Sequence, residues 1–587
     1  MSTNGIYGLS GSGIDVESMV KVGMMTKQTQ YDKLYKKEVK NEWIKEAYSS
    51  IYSDLQTFNI STMSSYKMSA KSNPMLAVST ATTVATATAN ADAASMSHSV
   101  EVTQLASNAY MQSTEAITRA ATTDSANPST SIYLKDVLYD ASSLATQQGY
   151  YDAMSEPEKS RVALSFTISD GVSGQTGTNT KNINFTYDDL FGSKQTLNDL
   201  ASKIKNSGVN VTAQYDATNN SFSLYNKSGG AANQINLSVT NYTTTTTTDG
   251  ITYSANADDQ ARKLLNNLHL GAVHTVTAAE AAADSSLTAG TTSLGTAATF
   301  SDTDTQPVSV SGTDAKVIID GKSYTSSSNK ITASNVAYNL TATGTTSVAV
   351  SQDTDTLIDN VKQFVADYNK MLDELNTKYN EPQYSSYGVL TKSQENSMTA
   401  DQITKWNEKA KSGLLYHDKN VGNVISSMRE AIYTPVDSVD SNYNTMMSIG
   451  ITSSTDRGHL KLNESKLKDA LAADPDCVYQ LFTSSGEVKD AKTGKTTTSY
   501  DKESVINRIY DSVATNLSTM KKYAGDSTEN SDGSTLGNVI LQLKTKMSDF
   551  KKQMDAYEDK LFDKYDAMET AIQRLSSSMN YITGSKS

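Results

Sequence analysis

Cysteine is nearly absent: the 587-residue chain holds only Cys477, so no intrachain disulfide can form. Its surroundings, DPDCVYQLF, place Cys477 on or beside the apolar face of a short helix. The flanking aspartates disfavour a thiolate, so a small packed hydrophobe is expected there rather than a nucleophile. No run of about 18 apolar residues occurs, which excludes a membrane-spanning helix. The opening MSTNGIYGLS lacks a basic n-region and an apolar h-region, so no cleaved secretory signal is expected. A protein working outside the cell would then need another export route. Positive charge is scarce, with 51 Lys and Arg against 64 Asp and Glu, a net charge of −13. That balance excludes nucleic acid and the membrane surface as partners, since both depend on clustered Lys and Arg. The carboxylate excess favours solubility. Hydrophobic residues (37%) and aromatics (7%) are modest, which argues against large dry cores. The length allows roughly three to five domains.

Signatures of catalysis are missing as well. The histidines are His98, His269, His274, His417 and His459. Only His269 and His274, in HLGAVH, are close, and no Cys or carboxylate set accompanies them, so no metal is expected. TGKT at 493–496 looks like a phosphate loop, but Lys489 stands where the first glycine belongs. GLSGSG is neither a nucleophile elbow nor a dinucleotide fingerprint, and no strand precedes it. STENSDGS sets Asn530, Asp532 and Gly533 near calcium-loop offsets, yet Thr528 and Val539 stand at the first and last ligand positions. A polar interhelical loop is expected instead. Asp302 and Asp304 lie in low-complexity sequence, and nothing singles out a carboxylate pair for glycoside hydrolysis. No enzymatic activity and no cofactor are expected.

Helical periodicity dominates both ends. Asp15 is a good N-cap with Glu17 in the first turn, and residues 14–70 read as helix. Ile44, Tyr48, Ile51, Leu55 and Phe58 alternate steps of four and three, a heptad seam. Upstream, from Met19 to Leu34, the pattern is looser and Gly23 weakens it. Near residue 355 heptads return as Leu357, Val361, Phe364, Tyr368, Met371 and Leu375. From Ile540 they run through Leu543, Met547, Phe550, Met554, Tyr557, Leu561, Tyr565, Met568, Ile572, Leu575, Met579 and Ile582, with a stutter across Leu561. A helix over that span is about 65 Å long at ~1.5 Å per residue, and alone it cannot hide its stripe. The stripes, 357–375 included, are therefore read mainly as association surfaces; an internal bundle is the alternative.

Residues 77 to about 350 change texture. Ser, Thr, Ala and Asn dominate, and Val100 and Val102 share a face in SHSVEVTQLA. VALSFTIS, NINFTY, VNVTAQY and SFSLYN read as strands, and TLNDLASKIKNSG as a short helix C-capped by Gly208. TNYTTTTTTDG and TAAEAAADSSLTAGTTSLGTAATFSDTDTQP read as loops or edge insertions, and AKVIIDGKSYT as a hairpin turning at Asp320-Gly321. The fold class expected is α+β and multidomain. A terminal α-helical coiled-coil stalk, or leg, carries β-rich head domains inserted between the N- and C-terminal helices.

Specific residues then carry a likeness. GLSGSGIDVESMV resembles the N-terminal signature of the flagellar filament cap family, the hook-associated proteins of type 2. YKKEVKNEWIKEAYSSIYSDLQTFN is similar to that family's first stalk helix, and VEVTQLASNAYMQS to its first head strand. TLNDLASKIKNSGVNVTAQYDATNNSFSLYNKSGG resembles a repeat shared among flagellin and hook proteins. AKVIIDGKSYT, DNVKQFVADYN, SIGITSSTDRGHLKLNESKLKDALAADPDCVYQLF and the closing heptads fit its C-terminal half. The chain departs from the pattern at TKQTQ, where the family usually has a proline.

The resemblance implies a flexible leg segment (1–40), a stalk helix (41–76) and a C-terminal coiled-coil leg (536–587). Head domain 2 would comprise 77–115 and 251–350, head domain 3 116–250, and the helical stalk domain 351–535. It also implies a homo-oligomeric ring at the extracellular tip of the bacterial flagellum, exported without a cleaved signal peptide. The partners would be its own copies, flagellin and, before secretion, a flagellar export chaperone. Gly5, Gly8, Gly11 and Gly13 form a compliant tether. The leg seam that contacts flagellin or a sister helix is assigned to Met19, Val20, Leu34, Ile44, Tyr48, Ile51, Leu55, Phe58, Leu561, Tyr565, Met568, Ile572, Leu575, Met579 and Ile582. Two alternatives stand beside it: an adhesin whose Ser/Thr-rich head binds host glycans or matrix, and another axial or junction component of the flagellum.

Overall fold

Helix α1 (Val16–Thr57) starts at the expected cap, where the Asp15 carboxylate accepts the Ser18 amide at 3.0 Å. Hydrogen bonds from the Ser18 side chain and backbone hold the Asp15 carboxyl below its usual range. The helix continues unbroken through 26–30, the proline position of the resembled family, and through the expected boundary at residue 40. A π-helical stretch, Phe58–Met63, and a last α-helical turn, Ser64–Tyr66, end the run. The computed structural model describes residues 15–119, 131–172, 175–242, 244–276, 278–302, 306–489, 494–529 and 531–584. The tether glycines lie outside the described residues. Contacts divide the chain into two units, Met1–Pro74 with Gln352–Ser587, and Met75–Ser351. No helix among the described residues is long and apolar enough to cross a membrane.

The first unit is helical. After α1 come α2 (Thr354–Tyr379), α3 (Ala400–Lys411), α4 (Lys419–Tyr433), α5 (Val505–Ala524) and α6 (Thr535–Gly584). All six heptad positions of α2, from Leu357 to Leu375, are buried in one cluster with Tyr48, Leu55 and Phe58 of α1, Val424 and Met428 of α4, and Ile509 and Val513 of α5. Two expectations change here. The α2 stripe is covered within the chain rather than by another molecule. A large dry core also exists despite the modest composition, because the apolar residues are concentrated on the facing sides of a few long helices. Cys477 is fully buried in a helix, Cys477–Thr483, and burial, helped by Asp474 and Asp476, pushes its thiol up to about 12. The Arg508 guanidinium is buried too, donating to the carbonyls of Tyr500, Asp501, Thr434 and Pro435.

The second unit is β-rich and has two cores. One lies on a five-stranded sheet ordered Met75–Ser79, Gly344–Gln352, Ser97–Gln104, Ala315–Ile319, Lys322–Ser326. Val100 and Val102 face inward from it, and Ile319 pairs with Lys322 across the Asp320-Gly321 turn, both of whose residues have positive φ. The other core is built on Val162–Gly171, a strand buried on both faces between Thr180–Thr186 and Asn233–Ser238. Helix Leu197–Lys205 packs there behind a capping box of Thr196 and Asp199. Its C-cap is Asn206, with Gly208 at φ +91° in the following turn. Ala261, Leu264, Leu268, Leu270 and Phe300 join this core, so 251–300 packs with the strands of 162–237 and not with those of 315–350 as expected. Of the two readings of the low-complexity stretches, edge insertion holds: each adds strands at the edge of a sheet. The threonine tract forms a hairpin, Thr246–Thr248 with Ile251–Tyr253, and the alanine-rich stretch a helix, Ala278–Ala283, followed by a strand, Thr292–Ala297. Asp249-Gly250, both at positive φ, supplies the hairpin turn.

One buried carboxyl gives the first unit a pH dependence. Burial, reinforced by the Asp511 carboxylate, pushes Glu503 from the ordinary 4.5 up to about 7. The folded state therefore holds this proton more tightly than the unfolded state. The stability it contributes is full below about pH 4.5 and is lost as pH rises through about 7. Glu503→Gln is expected to flatten the decline in urea midpoint between about pH 5 and 8; an unchanged slope contradicts this origin.

Candidate functional site

The two terminal helices, α1 and α6, pack along one another, and their contacts run in opposite directions along the sequence. At the base, the Lys45 ammonium is buried against the Asp532 carboxylate, the Ala524 carbonyl at 2.5 Å and Ser534 Oγ at 3.4 Å. Burial alone would raise Asp532, but bonds from Lys45 and Ser534 outweigh it and hold the carboxyl below its usual range. Further along, Lys544 reaches Glu42 at 2.7 Å and Glu38 at 3.4 Å. Burial and the adjacent Glu42 still push Glu38 upward. Lys27 sits 5.6 Å from the ring centroids of both Phe550 and Tyr557. At the far end Val16, Val20 and Leu561 form a small buried cluster with Met24, Phe562 and Tyr565 packed on it. As the α1 number falls from 45 to 16, that of its partner rises from 532, just before α6, to 565 within it. The pair is antiparallel.

Gly23 explains the close approach. A Cβ there would stand 2.7 Å from Leu561 Cδ1, so the absent side chain is the space that Leu561 fills. The sequence signal was present, a glycine in mid-helix, but it read only as a local weakness. Lys45 was equally visible as a lysine among seam positions, and Asp532 as part of a polar loop. Neither pattern reveals that residues so far apart in sequence meet.

The fifteen seam residues fall into three groups. Tyr48, Ile51, Leu55 and Phe58 are buried in the core of the first unit, with Ile44 packed against it, so they are not open to a partner. Val20 and Leu561 are buried between α1 and α6, and Met19, Leu34, Tyr565, Met568 and Ile572 are half-buried. Leu575 (64%) and Met579 (63%) are exposed, as is Tyr581 (83%). The side chain of Ile582 lies outside the described residues. Periodicity missed a second exposed apolar pair on α1, Val22 (67%) and Met25 (62%).

Among the described residues no group of three or more His, Cys, Asp or Glu could hold a metal ion. His269 and His274 each meet one separate carboxylate, Glu115 and Glu280. The arrangement is a pair of long helices bearing apolar stripes flanked by charged residues.

The chain is similar in sequence to known proteins. The family described as "Flagellar hook-associated protein 2 N-terminus" matches residues 12–109, and "Flagellar hook-associated protein 2 C-terminus" matches 312–577. The chain is 30% identical over 261 residues to the flagellar hook-associated protein 2 of Halalkalibacterium halodurans, covering 42% of this chain and 49% of that one. It is 29% identical over 146 residues to the protein of that name from Thermotoga maritima, covering 24% of this chain and 21% of the other. The alignments thus span about half and about a fifth of those relatives. Among solved structures, the D1-D2-D3 domains of the Escherichia coli flagellar cap protein FliD align over 81% of this chain and 96% of that one, at 17% identity and a TM-score of 0.42.

Filling the Gly23 space tests the packing. Gly23→Leu is expected to displace Leu561 at a local cost of about 1–3 kcal/mol. Amide exchange of 16–30 should accelerate while the urea midpoint of the helical core stays put. Unchanged exchange in 16–30 contradicts the close approach.

Proposed function

This chain belongs to the flagellar hook-associated protein 2 family, and on that premise we propose that it caps the flagellar filament. Copies of the chain associate into a cap at the distal tip, outside the cell, and the paired terminal helices form the leg that meets flagellin. Exported flagellin folds beneath the cap and inserts into the growing end. Before export, a chaperone would cover the same apolar stripes.

One observation carries the reading: the exposure of Leu575 and Tyr581 toward the end of a long helix whose earlier turns are packed on α1. An apolar stripe left in water is a surface awaiting a partner. Each apolar side chain that becomes fully buried contributes roughly 1.5–3 kcal/mol, so a few seat a cap firmly. The seam is also rich in methionine, with Met19, Met24, Met554 and Met568 at or near it. Flexible thioether side chains repack at little cost, which suits a cap that must step as each subunit inserts.

Leu575→Asp combined with Tyr581→Asp removes about 3–6 kcal/mol of available burial without touching the core. Cells carrying this variant are expected to release monomeric flagellin into the medium and to bear few or no filaments, while the purified variant melts as the parent does. Filaments of normal number and length contradict the reading.

A further inference from the structure

A trough lies on the first unit between α1 and α2. It comprises two adjoining cavities of about 180 and 270 Å³ that share Asp54, Met371 and Glu374. Beneath it stand Ile51, Phe58, Met371 and Leu375, nearly fully buried in the core of the unit. Its rim is acidic. The Asp367 and Asp373 carboxylates are bonded to Tyr66 and His459, whereas those of Asp54 and Glu374 have no hydrogen bond or ion pair among the described residues. Lys370 and Lys378 also line the trough.

The chain carries a complement to this trough on another part of α1. Val22 and Met25, 67% and 62% exposed, lie on the side of α1 turned from α6, and Thr29 and Lys33 continue the same stripe. Lys21 and Lys33 flank the apolar pair, and neither has an ion pair among the described residues. The lengths agree: 21–33 and the trough wall at 367–378 each span about 16–18 Å at ~1.5 Å per residue. The stripe cannot reach the trough of its own chain. Val22 and Asp54 sit on one continuous helix, about 48 Å apart at ~1.5 Å per residue.

We propose that the α1–α2 trough receives the exposed Lys21–Lys33 stripe of α1 from a second copy of the chain, its lysines meeting the unpaired carboxylates of Asp54 and Glu374. The contact is head-to-tail, because the donor and acceptor surfaces differ and lie far apart, and such a contact propagates from copy to copy, giving a ring where the rotation closes and an open helix where it does not. The inference rests on the self-association of the proposed cap and names the surfaces that would carry it.

A double variant, Val22→Cys with Ser50→Cys, tests the contact in the full-length chain. Ser50 lines the trough, both positions are exposed, and their separation on one helix forbids a disulfide within a molecule. Cys477 stays silent, being buried with its thiol pushed up to about 12. Oxidation is expected to give trimers and larger covalent species from the double variant, and at most dimers from either single variant. In a second arm, Asp54→Lys with Glu374→Lys should weaken association about tenfold, and adding Lys21→Glu with Lys33→Glu should restore it. Monomers or dimers alone from the oxidised double variant, while light scattering finds the parent oligomeric, overturn the contact but leave self-association standing. A parent that is monomeric by light scattering overturns both. Protection of Ser50→Cys from labelling only when flagellin is added assigns the trough to flagellin and overturns the proposal.

Discussion

An amphipathic helix longer than any neighbour in its own chain has an apolar face that water will not tolerate, and this constraint organises the molecule. α1 and α6 meet it by packing antiparallel, with Leu561 seated where Gly23 has no side chain and Lys45 enclosed by Asp532, Ser534 and the Ala524 carbonyl. The buried lysine fixes register at the base. A charge taken from water is tolerated only where its partners are in place, so sliding one helix by a turn would strand it. The small Val16–Val20–Leu561 cluster closes the other end.

Much of this was legible in the sequence, within a definite limit. Period and capping located α1, α2 and α6, the hairpin at Asp320-Gly321 and the inward face of Val100 and Val102. Periodicity says which face is apolar; it does not say what covers it. The Ile44–Phe58 stripe and the α2 stripe looked like the leg stripe beyond Tyr565, yet the first two are buried in the core and the last is partly exposed. Lys45 and Asp532, 487 residues apart, could not be joined by any local pattern. The threonine and alanine tracts were legible as edge insertions but not in their elements. Their strands and helix depend on neighbours such as Val162 and Leu270–Thr275, and composition carries no record of tertiary pairing.

The surfaces left over divide along the same lines. On α1 the side turned from α6 keeps Val22 and Met25 exposed between lysines, while the trough beside α2 keeps two carboxylates unpaired. Near the end of α6, Leu575 and Tyr581 are open to solvent. The pattern fits a chain whose inner stripes hold it together and whose outer stripes hold others. It also fits an assembly role in which the energy comes from burial and the selectivity from charge. The enclosed groups with shifted titration, Glu503 and Cys477, belong to the core and take no part in it.

The central claim is that α6 carries two functions in series, an inner length paired with α1 and an outer length completed only by assembly. Hydrogen–deuterium exchange of α6, compared between the free chain and isolated capped filaments, tests this most directly. The account expects 540–561 to exchange slowly in both states, and 568–581 to exchange quickly in the free chain but slowly in the cap. Equal exchange of 568–581 in the two states would contradict it.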